Sequence, residues 1–491
     1  MAISASTAIA QPADTLRIGN WDFPPGRGNA YSTVSAGVPQ VYIWPAMFDA
    51  LTFINAEGAP TPLLATTWRN VDPRTWRVTL RPNVKFHNGE VVSAKTVTDA
   101  FAWFKTDTGK TSVAAQQMNF IAGVEAVGPL ELEFKTTTPR PIFANLMAGL
   151  YLVPEKAWAE QGPEKFVTNP IGTGAFRVTA WTNEVVRMEA ARDSWRPPKV
   201  AKLEILRLAE QAARLQALLS GQIDVMIQAN ADEIPAIERG GHRIDKAAAP
   251  ALMQLAYVLE NVKQGVDNTM LKDKRVRHAL NYAVNKDAIN KALMGGAWTL
   301  NTQFTVPGAF GYDKSLQPWP YDPAKAKQLL TEAGYASGFT IAGEVRDFFD
   351  IWGQVTQDLA KVGVKLELKN VVQADWLRKF LATTWEGPSF GLALGFGPEM
   401  DASRVAFFQS CRKNPPHYCN REVMPILDAV DGEFDVEKRR KLLHQVMAMM
   451  REDSPALMLF EQVDFTGVAK RVQGFKSVNR IFNFHELALS N

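Results

Sequence analysis

The chain has 491 residues and carries 54 basic against 51 acidic side chains, a formal charge of +3. That near balance leaves no excess for a broad basic face and argues against a nucleic-acid partner. With 46% apolar and 21% charged residues the composition is that of a folded chain of two or three domains, and no apolar run approaches the roughly 18 residues that would span a bilayer.

Residues 1–10 carry no charge, and Ala8-Ile9-Ala10 before Gln11 reads as a small-x-small processing site. They are expected to be the tail of an export signal, although the first basic residue is Arg17 and no basic leader precedes the apolar stretch. The alternative is an unstructured arm. Further along, Trp76-Arg-Val78-Thr-Leu80 alternates as a half-buried strand and runs to a turn at Asn88-Gly89. Ser93 should cap a helix with Val97, Ala100, Phe101 and Phe104 on one face. Leu130, Leu132 and Phe134 form the next alternating strand, and Phe176-Arg-Val178 with Val185-Val186 reads as a hairpin.

From there the rhythm becomes helix then strand. A stripe of Leu215, Leu218 and Leu219 stops at Gly221, and Ile223 to Ile227 follows as a strand. Asp322-Pro323 supplies an N-cap with proline at the first helical position, and Gly334 ends that helix. A helix over 351–361 breaks at Gly363, before Val364, Leu366 and Leu368 alternate with charged residues. Helix and strand in this order predict an α/β fold.

Only two cysteines occur, Cys411 and Cys419, on either side of a Pro-Pro turn. In an exported chain the pair reads as a disulfide closing a short loop. Free thiols, or a metal site completed by His417, are the alternatives. Catalytic signatures are mostly missing: no His-Glu-x-x-His, no Walker loop, no nucleophile elbow. The six histidines (His87, His242, His278, His417, His444 and His485) include no helical i, i+4 pair, and Gly172-Thr-Gly174 lacks the third glycine of a dinucleotide loop. A binding protein without a cofactor or metal is expected in preference to an enzyme. One cluster stands out, where Trp376, Trp385 and Phe396 lie near Glu399 and Asp401 around the glycines of 391–397. It reads either as core aromatics with solvated acids or as a ligand wall with an amine-holding carboxylate.

Several runs taken together resemble the extracellular solute-binding proteins of dipeptide, oligopeptide, nickel and opine ABC importers. They are Pro62-Leu-Leu-Ala65 to Trp68, Trp76 to Gly89, Asn169-Pro-Ile-Gly-Thr-Gly174, Leu218 to Asp224, Asp273 to Leu280 with Asn285 to Ile289, and Tyr321 to Gly334, in the family's order. The resemblance implies a two-lobed periplasmic-binding-protein clamshell with an additional domain inserted in the first lobe. Lobe one would comprise 11–44, 170–257 and 463–491, the inserted domain 45–169, and lobe two 258–462. It implies a ligand-cavity tryptophan at Trp376. Gly395-Phe396-Gly-Pro-Glu399 is similar to the family's Gly-Trp-x-x-Asp, so Glu399, or Asp401 in its place, would anchor an amine, with Phe396 as a wall. The loop Ser35-Ala-Gly37-Val38-Pro39 would pair with bound peptide through its backbone. Arg140 is a weaker candidate for a ligand carboxylate. Arg275, Arg277 and His278 would form a solvated or permease-facing surface, and His87 and Asn88 would be turn residues.

The function implied is a periplasmic receptor that captures a peptide or peptide-like solute and delivers it to the permease subunits of an ABC importer. It would be a monomer with no nucleic acid and, lacking a lipid-attachment cysteine near Ala10, no membrane anchor. The same fold with an opine or a nickel chelate as cargo is the alternative, and a small-substrate hydrolase is a distant one.

Overall fold

A computed structural model describes residues 14–32, 39–395 and 399–490. The strands are β1 (Thr15–Asn20), β2 (Thr52–Ile54), β3 (Pro60–Pro62), β4 (Ala65–Asp72), β5 (Thr75–Leu80), β6 (Ile121–Ala126), β7 (Glu131–Thr136), β8 (Phe176–Trp181) and β9 (Val185–Ala190). They continue as β10 (Lys202–Arg207), β11 (Val225–Ala229), β12 (Arg243–Tyr257), β13 (Thr299–Leu300), β14 (Phe339–Val345), β15 (Val364–Asn370), β16 (Ser389–Gly395) and β17 (Ala456–Val468). Eleven of them form one sheet in the order β15-β14-β16-β12-β17-β11-β1-β10-β9-β8, with β13 added to β17.

Parallel pairs flank the centre, β11 and β10 on either side of β1 and β15 and β16 on either side of β14. The β14–β15 pair is joined through the helix Phe349–Ala360, the kind of crossover that parallel strands require. The fold is thus a mixed α/β clamshell of two lobes. Its two halves are joined by β12 and β17, which pair with each other from Arg243↔Val468 to Ala256↔Ala456. The first half of β12 lies in the part of the sheet that holds β11, and its second half pairs with β16. Between Ala248 and Leu252 the register shifts, and Pro250 sits in that gap without an N–H to offer the ladder.

A separate four-stranded antiparallel sheet, β4-β5-β7-β6, is built from residues 65–136. In β5 Trp76, Val78 and Leu80 are buried and the residues between them are half-buried, so the expected alternation is met. The helix Ala94–Phe104 covers this sheet with Val97, Ala100, Phe101 and Phe104 inward. Asp322 caps its helix by accepting from the Lys325 N–H at 2.8 Å, and Gly334 and Gly363 take the positive φ that ends each following turn. The strand expected at Ile223–Ile227 begins two residues later, at Val225.

Two cores fill the molecule. One spans β1, β10, β11 and the four-stranded sheet, and the other gathers Trp376, Phe380, Trp385, Phe390 and the helix Val436–Asp453. Cys411 and Cys419 are joined as a disulfide. That removes the metal-site alternative, because both sulfurs are bonded to each other. His417 is buried against Phe380 and Phe390, and burial with the Lys413 charge nearby pushes its ring down to about 3, so it is neutral.

Candidate functional site

Where the two halves of the large sheet meet, the surface encloses a cavity of about 360 Å³. Three chain segments converge on it: Gln40 and Val41; Pro250, at the register change in β12; and Met400, between Glu399 and Asp401. Met400 holds a φ of 43°, a left-handed backbone that a side chain adopts at a cost and that is common at ligand-facing positions. Its carbonyl accepts from the Phe310 N–H at 2.9 Å, and the Phe310 carbonyl accepts from the Ala402 N–H at 2.9 Å, which fixes the bend.

The far wall is aromatic, with Trp44, Phe48, Tyr151, Trp195 and Phe482 lining it. Trp44 packs edge-on against both Phe48 and Tyr151, and its Nε1 donates to the Arg27 carbonyl at 2.7 Å. Burial pushes the Tyr151 hydroxyl well above its ordinary value, so it stays protonated. Behind this wall Asp49 is buried and accepts from Thr173 Oγ1 at 2.8 Å, from Trp195 Nε1 at 3.0 Å, and from Arg196. Arg81 lies over the Trp195 ring at 4.5 Å and donates its Nε to the Leu63 carbonyl at 2.9 Å. His485 also lines the cavity, and burial, then the Arg196 charge, lower its proton affinity.

The hairpin of β2 and β3 brings the four-stranded sheet's neighbourhood onto the opposite half. Its Gly58 has a φ of +75°, and a Cβ there would sit 2.5 Å from the Gly308 carbonyl, so only glycine permits the contact. Buried Asn145 bridges the same seam, donating to the Gly58 carbonyl at 3.0 Å and to the Glu399 carbonyl at 2.8 Å.

The expected site residues divide. Glu399 is buried and its Oε1 accepts from Arg404 Nη1 at 2.6 Å. Asp401 caps the helix Ala402–Phe408 through Ser403, and Arg439 grips both its oxygens at 2.7 and 2.9 Å. Each acid expected to hold a ligand amine therefore already holds a cation of the chain. Trp376 is a core residue, stacked on Phe380 at 5.1 Å with its Nε1 on the Gly391 carbonyl at 2.9 Å, and it does not line the cavity. Gly37, Val38 and Phe396 lie outside the described residues.

Arg140 sits over Phe120, away from the cavity. Arg277, expected on a solvated face, is buried instead and donates to the carbonyls of Leu271, Lys272, Asp453 and Ser454 as well as to the Asp453 carboxylate. Its job is to tie two helix ends together. His87 does more than turn, since its ring reaches the Gly174 carbonyl at 3.0 Å and its N–H donates to Gly172, clamping Gly172-Thr-Gly174 against residues 46–48.

The sequence model of bacterial extracellular solute-binding proteins, family 5, middle region, matches residues 59–410. The chain belongs to that family. This family-5 protein is 27% identical over 462 residues to the dipeptide-binding protein of Escherichia coli (strain K12), covering 84% of this chain and 83% of that one. It is 29% identical over 454 residues to the glutathione-binding protein GsiB of Pectobacterium atrosepticum, covering 85% and 84%. The ABC transporter-associated periplasmic binding protein DppA from Helicobacter pylori, solved in complex with peptide STSA, shares its fold with a TM-score of 0.78 and 20% identity over 97% of this chain and 98% of that one. Among the described residues no helix is long and apolar enough to cross a membrane.

Proposed function

We propose that this family-5 protein is a periplasmic, monomeric receptor that encloses a peptide or peptide-like solute between its lobes and delivers it to the permease of an ABC importer. The observation that carries the reading is the cavity bounded at once by Gln40 and Val41, the crossing strand at Pro250 and the bend at Met400. Its volume falls within the range of small-solute pockets, and the dipeptide- and glutathione-binding relatives supply the ligand class. Binding is the task, not turnover: ligand selects the closed arrangement, which the permease recognises. The disulfide suits an oxidising compartment outside the cytoplasm.

In this reading 11–44, 170–257 and 463–491 form lobe one, 45–169 the inserted domain and 258–462 lobe two. The register change at Ala248–Leu252 favours a first crossing within β12, a few residues before 257. By the family resemblance Gly37, Val38 and Phe396 belong to the ligand walls, and Trp376, Glu399 and Asp401 are proposed ligand neighbours whose polar groups are already held within the protein.

A thermal-shift panel on protein refolded free of carried-over ligand tests it, using di- to pentapeptide pools, opines and nickel chelates. Ligand at a hundred times its Kd adds about 2.7 kcal/mol of stability, so a peptide pool that binds raises the Tm visibly. A shift with an opine or a chelate and with no peptide would keep the fold and replace the cargo.

A further inference from the structure

The charges around the cavity are not equivalent. On the Met400 side each carboxylate is neutralised inside the protein, Glu399 by Arg404 and Asp401 by Arg439. On the aromatic side Arg196 is likewise cancelled by Asp49. Arg81 is different: among the described residues it forms no ion pair, and its side chain's single hydrogen bond uses Nε, on the Leu63 carbonyl. The Trp195 ring beneath it is itself pinned by the bond from Nε1 to Asp49. A guanidinium held by its Nε and by a ring face keeps both Nη groups as a preset fork, the geometry that binds a carboxylate in a bidentate way. Lys476, exposed and also lining the cavity, adds a second cation that makes no ion pair within 4 Å among the described residues, although its charge reaches Asp245, while Glu486 is the one acid on the same lining.

We propose, resting on the receptor reading above, that the cavity takes its ligand by an anionic group, a carboxylate or similar oxyanion, seated on the Arg81 fork with Lys476 assisting. The cargo class is thus an acidic or free-carboxylate solute whose apolar body lies on the aromatic wall. Its amine, if it has one, is not the anchored end. An oxyanion in this place makes charge-assisted bonds to donors that need no reorganisation, and removing it leaves the guanidinium partly desolvated and unpaired.

The test compares ligand chemistry on the unaltered protein. Tripeptide pools lacking Asp and Glu are prepared as free acids, as C-terminal amides and as N-acetyl free acids, with a further amide pool carrying one glutamate. Calorimetry should show the free-acid and N-acetyl pools binding about equally, the plain amides about ten-fold or more weaker, and the glutamate amides intermediate or restored. Restoration by the glutamate would assign the anion to a side chain, and its absence to the C-terminus. Arg81→Met should erase the preference for acid over amide. Lys476→Met should reduce the preference in part, and serves alone if the Arg81 variant does not fold. Amides that bind as tightly as acids, with N-acetylation abolishing binding, would overturn this inference and leave the peptide receptor standing. If no peptide form binds, the peptide reading falls, and a panel of N-acyl amino acids and opines then decides the anion claim: binding upholds it, and no binding overturns it.

Discussion

The two walls of the cavity handle charge in opposite ways. Toward the helices Ala402–Phe408 and Val436–Asp453, acids and bases are matched within the protein: Asp401 and Arg439 are buried together, and Glu399 has Arg404. Toward Trp195 and the C-terminal segment, Arg81 and Lys476 form no ion pair among the described residues, and Lys476 reaches an acid, Asp245, only through its longer-range charge. A matched buried pair is architecture, because separating it would strand a charge in a poor dielectric. An unmatched cation on a cavity wall has chemistry left to do, and this difference, more than residue type, separates framework from binding surface.

The strongest way to break the matched wall is Arg439→Met, which leaves Asp401 charged and buried. It should lose about 3–5 kcal/mol of stability, read as a lower urea midpoint with an unchanged slope. Next comes Glu461, on β17, a buried acid that accepts from Tyr312 Oη at 3.2 Å. Burial pushes it from 4.5 up to about 8. Because the folded value is the higher one, its stabilising contribution is complete below about 4.5 and is lost as pH rises through about 8. Glu461→Gln should remove that slope, worth on the order of a few kcal/mol between pH 5 and 9, in unfolding curves taken across the range. Glu399→Gln sharpens the comparison further: with Arg404 part-exposed, about 1 kcal/mol should go, and calorimetric affinity for an N-acetylated peptide should be the same as in the unaltered protein. The smallest effect is expected on the open wall, where Lys476→Met should change stability by less than about 0.5 kcal/mol and weaken anionic ligands only.

Local signals in the sequence were reliable where chemistry is local. Asp322-Pro323, Gly334, Gly363 and the alternation of β5 all act within a few residues, and all stand where they were read. The crossing strands escaped notice for a physical reason. Residues 249–257 and 456–462 are buried throughout, and a strand covered on both faces shows a continuous apolar run with no period to read. The candidate site was harder still. Trp376 and Asp401 carry the residue types of a ligand wall, but whether each meets a ligand or the protein depends on partners such as Arg439, 38 positions away from Asp401. Arg81 closes a strand motif, and nothing near it in sequence reveals that Trp195 will lie beneath it.

The position of β17 has a consequence for biosynthesis. This strand, Ala456–Val468, lies between β12 and β11, and among the described residues it carries the pairing that links the β11-β1-β10 side, through β12, to the β16-β14-β15 side. Translation reaches it only after β1, β10, β11, β12, β14, β15 and β16 have been made, so the two halves of the sheet cannot be joined through it before then. Pairings so distant along the chain form late and slowly, so the joining of the two halves is the last step in closing the large sheet.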